Sequence, residues 1–280
     1  MADARDLKSR VRIGRAGSTP ASAKYVFDGS GCLAEKKIQA VLFDIGETLL
    51  NFGKVDVIAL FKQGGKQAHE FLQKLGQPVE SLNTYLLKHL WMIRVFRVWS
   101  YLTGKDFNSL AILKKMEQKR GVKLSPQQWE DFGWCWYEPL SKMAAVETDI
   151  KQTLEKLKQA GIKLGILSNT FINAVTLERH LAQFGILDFF PVRLYSYQFK
   201  FRKPDSRIFI EAAKKIGCEP CNVLYVGDRL DLDIAGAAKA NMPAVIKRAY
   251  TNIDKDIPQN VIKIERLSEL PGIVEQINQR

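Results

Sequence analysis

Between residues 148 and 248 the chain alternates short β-rich apolar runs with amphipathic helical patterns, and this repeat leaves few folds open. The runs "IKLGILS" (162–168), "RLYSYQF" (193–199), "NVLYVGD" (222–228) and "PAVIKR" (243–248) read as strands. Helical patterns separate them at 150–160, 172–184, 205–216 and 233–241. The first helix is capped by Thr148 or Asp149 and ends near Gly161; the third stops at Gly217. Strands too apolar to alternate, each joined to the next through a helix, demand a parallel sheet covered on both faces. An earlier run, "IQAVLFD" (38–44), has the same character and ends in an acid. The expected fold is α/β with a Rossmann-like parallel sheet.

Residues 52–147 break the alternation. They carry helical signals at 56–75, 81–103, 106–120 and 126–143, the last behind Ser125-Pro126, and no strand pattern. A stretch of roughly 90 residues is too long for a loop and long enough for a small helical module. The expected organisation is a core of 39–51 and 148–280, a helical insert of 52–147 after the first strand, and a basic N-terminal tail of 1–38. The tail, with Arg5, Lys8, Arg10, Arg12 and Arg15 among glycines and serines, is expected to be disordered or loosely attached.

Three apolar strands end at a polar residue: Asp44, Ser168 and Asp228. In an open parallel sheet, ligands bind outside the carboxyl ends of the strands, so these side chains should share one crevice although they lie far apart in sequence. Lys203 follows the strand at 193–199 and belongs at the same edge. Two acids suit a divalent cation; a hydroxyl and an ammonium suit phosphoryl oxygens.

These residues resemble the motifs of the haloacid dehalogenase superfamily. Asp44-Ile45-Gly46-Glu47-Thr48 is similar to its D-x-D-x-T. Ser168-Asn169-Thr170, Lys203-Pro204-Asp205 and Gly227-Asp228 through Asp233 match its second, third and fourth motifs in order. The resemblance covers about 39–270. It implies a phosphatase in which Asp44 is the nucleophile and Lys203 neutralises charge. Ser168 and the Asn169 backbone N–H would bind phosphoryl oxygens, and Thr48 would brace the turn at the substrate. Mg²⁺ would lie on Asp44, the Gly46 carbonyl and Asp228, with Asp233 orienting a metal-bound water. Residues 52–147 become a helical cap that closes over the crevice and selects a small phosphorylated metabolite.

Gly46 departs from the pattern. A second aspartate, the general acid–base, stands there in phosphatase members, and glycine cannot move a proton. That loss is worth typically ~10²–10⁴-fold. Substrates with good leaving groups, such as acyl, aryl or sugar 1-phosphates, should suffer least. Glu47 is adjacent, but neighbouring side chains on an extended segment point apart; a cap residue such as His69 or Glu70 could serve as the substitute base. Two other readings remain. A metal-independent haloacid dehalogenase also lacks the second aspartate but has no Gly227-Asp228 motif. A non-catalytic binding or regulatory protein would keep the fold and lose the proton carrier.

Composition adds limits. No apolar run approaches the ~20 residues of a membrane span, so no membrane partner is expected. Four cysteines are too sparse for a disulfide framework, which makes a cytoplasmic location the expectation. Cys218 and Cys221 form one C-x-x-C with no second pair, and His69, His89 and His180 lack metal-ligand spacing. The net charge of +12 fits nucleic acid, an anionic surface or an anionic substrate; its even spread points away from nucleic acid. The Arg-aromatic stretch at 93–105 and the cluster Trp129, Trp134, Trp136 and Tyr137 read as helix packing. Asp231 reads as a helix-start acid. A monomer or homodimer is expected.

Overall fold

The computed structural model describes residues 37–279. Of the expected tail, all but Lys37 and Ile38 lies outside the described residues. Ile38 itself is buried in the core, and its N–H donates to Asn278 Oδ1 at 2.6 Å.

A six-stranded parallel sheet organises the chain, in the order β3-β2-β1-β4-β5-β6. The strands are β1 (Ala40–Phe43), β2 (Lys163–Ser168), β3 (Val192–Tyr195), β4 (Val223–Gly227), β5 (Ala244–Lys247) and β6 (Ile262–Ile264). Alternate residues of β1 point to opposite faces. Val41 and Phe43 pack with α5 (Ile150–Gln159), α6 (Ala174–Gln183) and α9 (Leu270–Asn278). Ala40 and Leu42 pack with α7 (Ser206–Ile216) and α8 (Ala235–Lys239). Helices on both faces explain why the strands are apolar throughout. The chain builds outward from β1 to β3, then crosses to β4 on the other side. The strand order therefore reverses beside β1, where a crevice opens at the carboxyl edge.

Local chemistry sets most element ends. Asn173 accepts from Thr176 N at 3.1 Å and starts α6 at 174 instead of 172. Gly217, at φ 72°, closes α7 in the left-handed conformation. The strand expected over 193–199 is shorter: β3 stops at Tyr195, because Gln198 Oε1 accepts from Tyr195 N and turns 196–198 into a 3₁₀ helix. The sequence patterns gave no warning of β6 and α9; β6 is only three residues long and two of them are exposed.

Between β1 and α5 the chain forms four helices: α1 (Val57–Lys74), α2 (Leu82–Thr103), α3 (Ser109–Lys119) and α4 (Pro126–Ser141). They share a hydrophobic cluster of their own that includes Ala68, Leu72, Tyr85, Trp129 and Phe132. Asn51 and Ala145 pair through backbone hydrogen bonds of 2.8 and 2.9 Å, so the chain leaves and re-enters the sheet layer side by side. The aromatic cluster of α4 splits: Trp129 packs among the helices of the insert, whereas Trp134 and Tyr137 face α6, where Tyr137 Oη lies 3.0 Å from His180 Nδ1.

Phe190 is fully buried and meets Phe43 edge-on at 5.7 Å, directly beneath the carboxyl edge. Phe190→Ala is expected to cost about 3–5 kcal/mol of unfolding free energy, measured by denaturant titration. A loss below about 1 kcal/mol contradicts this account of the core.

Candidate active site

The register places the strand ends. Phe43 is level with Ile166 of β2 and Val226 of β4. Asp44 is therefore level with Leu167 and Gly227, and Ser168 and Asp228 stand one residue further out on either side. All three polar residues are buried, Asp44 at 9 % exposure. Lys203 enters from the segment between β3 and α7 and is 1 % exposed.

Lys203 Nζ has three partners: Asp233 Oδ1 at 2.6 Å, the Tyr225 hydroxyl at 2.8 Å and Asp44 Oδ2 at 3.1 Å. Burial pulls its pKa down, but Asp233 and Asp44 outweigh that and leave it above the ordinary lysine value. Its backbone is clamped by the Asn169 side chain, whose Nδ2 donates to Lys203 O and whose Oδ1 accepts from Lys203 N, both at 2.9 Å. Tyr225 in turn donates its hydroxyl to Leu167 O at 2.8 Å. Burial, then the surrounding carboxylates, push this phenol well above its usual pKa.

Asp233, fully buried, uses both oxygens. Oδ1 takes Lys203, and Oδ2 accepts from Asp228 N at 3.1 Å and Arg229 N at 2.9 Å. This close approach requires Gly227, where a Cβ would lie 2.4 Å from the Asp233 carboxylate. Asp228 is held from the other side: the Thr251 hydroxyl donates to Asp228 Oδ2, and Asn252 Nδ2 donates to Asp228 O at 2.8 Å.

Carboxylate oxygens of Asp44, Asp228 and Asp233 all lie within 4.8 Å of one another. One ammonium cannot balance three buried carboxylates. Burial, then Asp44 and Asp233, push the Asp228 carboxyl up to about 7. An oxygen-only donor set with surplus negative charge fits a hard divalent cation. It is the only such group among the described residues. Cys218 is a free thiol 3.9 Å from Lys163 Nζ, and the C-x-x-C does not contribute a second one.

Gly46 sits in a turn where an added Cβ would meet nothing within 4 Å, and its φ is not in the left-handed region. Neither space nor backbone demands glycine there. Thr48 is fully buried and its hydroxyl finds no partner; its N–H closes the turn onto Ile45 O at 3.3 Å. Its place is inside the turn. The candidate substitute bases are all engaged elsewhere. Glu47, at φ 56°, accepts from Phe52 N and Gly53 N, both at 2.9 Å. His69 Nε2 bonds Glu80 O at 2.8 Å within the insert, and Glu70 is exposed beside Lys66. Asp231 pairs with Arg229 at the surface and takes no part.

Arg202, the residue before Lys203, reaches into the insert. It donates to Asp106 Oδ1 at 2.7 Å and Ser100 Oγ at 3.0 Å. The other Asp106 oxygen accepts from the Ser196 hydroxyl, which accepts from Thr170 N at 2.9 Å. The α2–α3 loop is thus bonded to segments carrying two of the site residues. An apolar cavity of about 430 Å³ lies beside this junction, lined by Phe61, Ile93, Leu110, Trp136, Phe171 and Asn173 among others. Sequence reading missed Tyr225, the Asn169 side chain and the Arg202–Asp106 bridge. Tyr225 alone carried a signal, a phenol in the middle of an otherwise aliphatic strand.

Comparison with known proteins gives a consistent picture. A family model described as haloacid dehalogenase-like hydrolase matches residues 38–241. A glyceraldehyde 3-phosphate phosphatase of Methanothermobacter thermautotrophicus is 32% identical over 243 residues, covering 85% of this chain and 99% of that protein. Its counterpart in Methanopyrus kandleri is 28% identical over 249 residues, covering 86% and 98%. The crystal structure of an HAD phosphatase from Thermococcus onnurineus superposes with a TM-score of 0.54 at 28% identity, covering 85% of this chain and 98% of that one.

Two outcomes are expected. The folded Asp228 carboxyl titrates near 7 and the unfolded one at its ordinary value of 3.8. Its contribution to stability is complete below the unfolded value and is lost as pH rises through the folded one. Without divalent cations the melting temperature should therefore carry a component that falls over that window. The gain on adding Mg²⁺ should be larger at about pH 8 than at about pH 5.5. A gain independent of pH counts against the triad as the cation site. Separately, Asp106→Ala should lower turnover several-fold while moving unfolding by about 1–3 kcal/mol, because Arg202 loses its anchor next to Lys203. Unchanged turnover contradicts that coupling.

Proposed function

This chain belongs to the haloacid dehalogenase-like hydrolases, and on that footing we propose that it is a Mg²⁺-dependent phosphatase of small phosphorylated metabolites working through Asp44. The observation that carries the reading is the Lys203 ammonium, buried between Asp44 and Asp233 at the carboxyl edge of the sheet. A buried ion pair adds little to stability, so its placement at this edge fits a charge that must neutralise an incoming phosphoryl group.

In this reading an Asp44 carboxylate oxygen attacks phosphorus, the phosphorus–oxygen bond to the leaving group breaks, and an aspartyl-phosphate forms. Water then attacks that phosphorus and returns Asp44 with inorganic phosphate. Ser168 and the Asn169 N–H hold the phosphoryl oxygens, while Lys203 offsets their charge and that of Asp44. Mg²⁺ would be held by Asp44, Asp228 and the Gly46 carbonyl, and when bound it supplies positive charge to the phosphoryl oxygens. Asp233 supports that set by fixing Lys203 and the Asp228 backbone rather than by offering a free oxygen. The four-helix insert acts as a cap that excludes water and selects the leaving group.

No side chain at position 46 can give the leaving oxygen its proton, and Glu47, His69 and Glu70 do not stand in. The preferred substrates are those whose leaving group departs without general-acid help. The relatives are named for glyceraldehyde 3-phosphate; that triose phosphate is an alkyl phosphate and is tried beside substrates with better leaving groups.

Phosphate release should be measured on glyceraldehyde 3-phosphate, acyl phosphates and sugar 1-phosphates, with Mg²⁺ and with EDTA. Turnover is expected with Mg²⁺ only, and Asp44→Asn should abolish it. Gly46→Asp, for which the turn has room, should raise kcat on an alkyl phosphate by ~10²-fold or more and on an acyl phosphate far less. Mg²⁺ binding without release from any substrate, unrelieved by Gly46→Asp, sinks the phosphatase and favours a binding role.

A further inference from the structure

The amphipathic packing expected for residues 93–105 accounts for only one side of α2. Its inner side holds Tyr85, His89, Met92 and Ser100 buried. Its outer side carries Leu87 (71 % exposed), Trp91 (69 %), Val95 (42 %), Val98 (59 %) and Leu102 (75 %). Their spacing of 4, 4, 3 and 4 residues forms one straight apolar stripe along the helix. Trp99 and Tyr101, also exposed, flank it. A stripe of this size on a solvent face marks an interaction surface.

Charge identifies the partner. Residues 82–116 contain six basic side chains, Lys88, Arg94, Arg97, Lys105, Lys114 and Lys115, all exposed. They contain one acid, Asp106, which is already paired with Arg202 at 2.7 Å; of the six, Lys88 pairs with Glu80 just before the helix, and the others have no acidic partner among the described residues. Lys88 and Arg94 border the stripe on opposite sides, at the angles the helical repeat gives them. A second copy laid on the same face would bring its own Arg94 and Arg97 against these, with no Asp or Glu on either α2 to answer them. A nucleic acid needs basic groups and ring faces along its track; the centre of this stripe is mostly aliphatic.

We infer that the outer face of α2 docks the protein on an anionic lipid surface. The aliphatic stripe enters the acyl boundary, Trp91, Trp99 and Tyr101 sit at the interfacial level, and the basic residues meet lipid phosphates. The helix lies in the plane of the surface and does not cross it; no described helix is long and apolar enough to do so. The helix is already folded in the free protein, so docking carries no cost of ordering it. This inference concerns the surface alone and is independent of turnover.

The test is flotation of the full chain with vesicles of phosphatidylcholine, and of phosphatidylcholine mixed with phosphatidylglycerol. Co-flotation is expected with the anionic vesicles only, with a blue shift of tryptophan emission, and binding should fall at least ~10-fold in high salt. Trp91→Glu and Val98→Glu should each abolish flotation without lowering the melting temperature. Arg94→Gln with Lys105→Gln should weaken it and leave the melting temperature unchanged. Failure to bind anionic vesicles, or equal binding to neutral ones, overturns the inference. So does a dimer in analytical ultracentrifugation, or oligonucleotide binding, that Trp91→Glu dissolves while vesicle binding is absent.

Discussion

An ammonium sealed between the carboxylates of Asp44 and Asp233 at a sheet edge, with Asp228 close by, is the constraint on which the rest of this molecule is organised. Lys203 is 1 % exposed, and removing its ammonium would leave buried carboxylates uncompensated, at about 3–5 kcal/mol. The surrounding structure is arranged to prevent that. Asn169 clamps the lysine backbone, Tyr225 offers its hydroxyl, Gly227 leaves room for Asp233, and Asp233 holds the amides of Asp228 and Arg229. These contacts come from four separate stretches of chain. They do not maximise stability, since apolar residues of similar volume would hold such a site as well. They hold three carboxylates against one ammonium, a surplus of negative charge.

The turn after β1 is the point where this economy breaks down. Lys203, Asp228 and Asp233 each have several partners, whereas Gly46 has no side chain to offer one. Because the turn has room for a side chain and no left-handed φ there, the glycine is a chemical difference and not a steric requirement. Asp44 and Lys203 are paired at this edge, and position 46 carries no side chain that could exchange a proton.

The insert is joined to this edge by charge as well as by packing. Asp106 links Arg202, Ser100 and Ser196, so motion of the α2–α3 loop reaches the residue next to Lys203. The same α2 carries a basic, apolar outer face. A surface that holds α2 from outside would act on a helix whose last turn, at Ser100, already touches that bridge.

Alternation of apolar runs and helical periods determined the parallel α/β class, and the polar residue ending each run determined which edge carries the chemistry. Asp44, Ser168, Lys203 and Asp228 were legible because strand termini in a parallel sheet are forced to one side, whatever lies between them. The shortness of β3 and the existence of β6 were not, because a glutamine side chain ends one and exposure of two of three residues hides the other. Partners of the site escaped for a related reason. Tyr225, Asn169 and Asp106 act across separations of 22, 34 and 96 residues on Lys203 and Arg202, and no local pattern encodes such pairings. Which face of α2 is buried was likewise undecided by its sequence, since apolar residues lie all round it. Only packing against α1 and α4 chose one side and left the other to solvent.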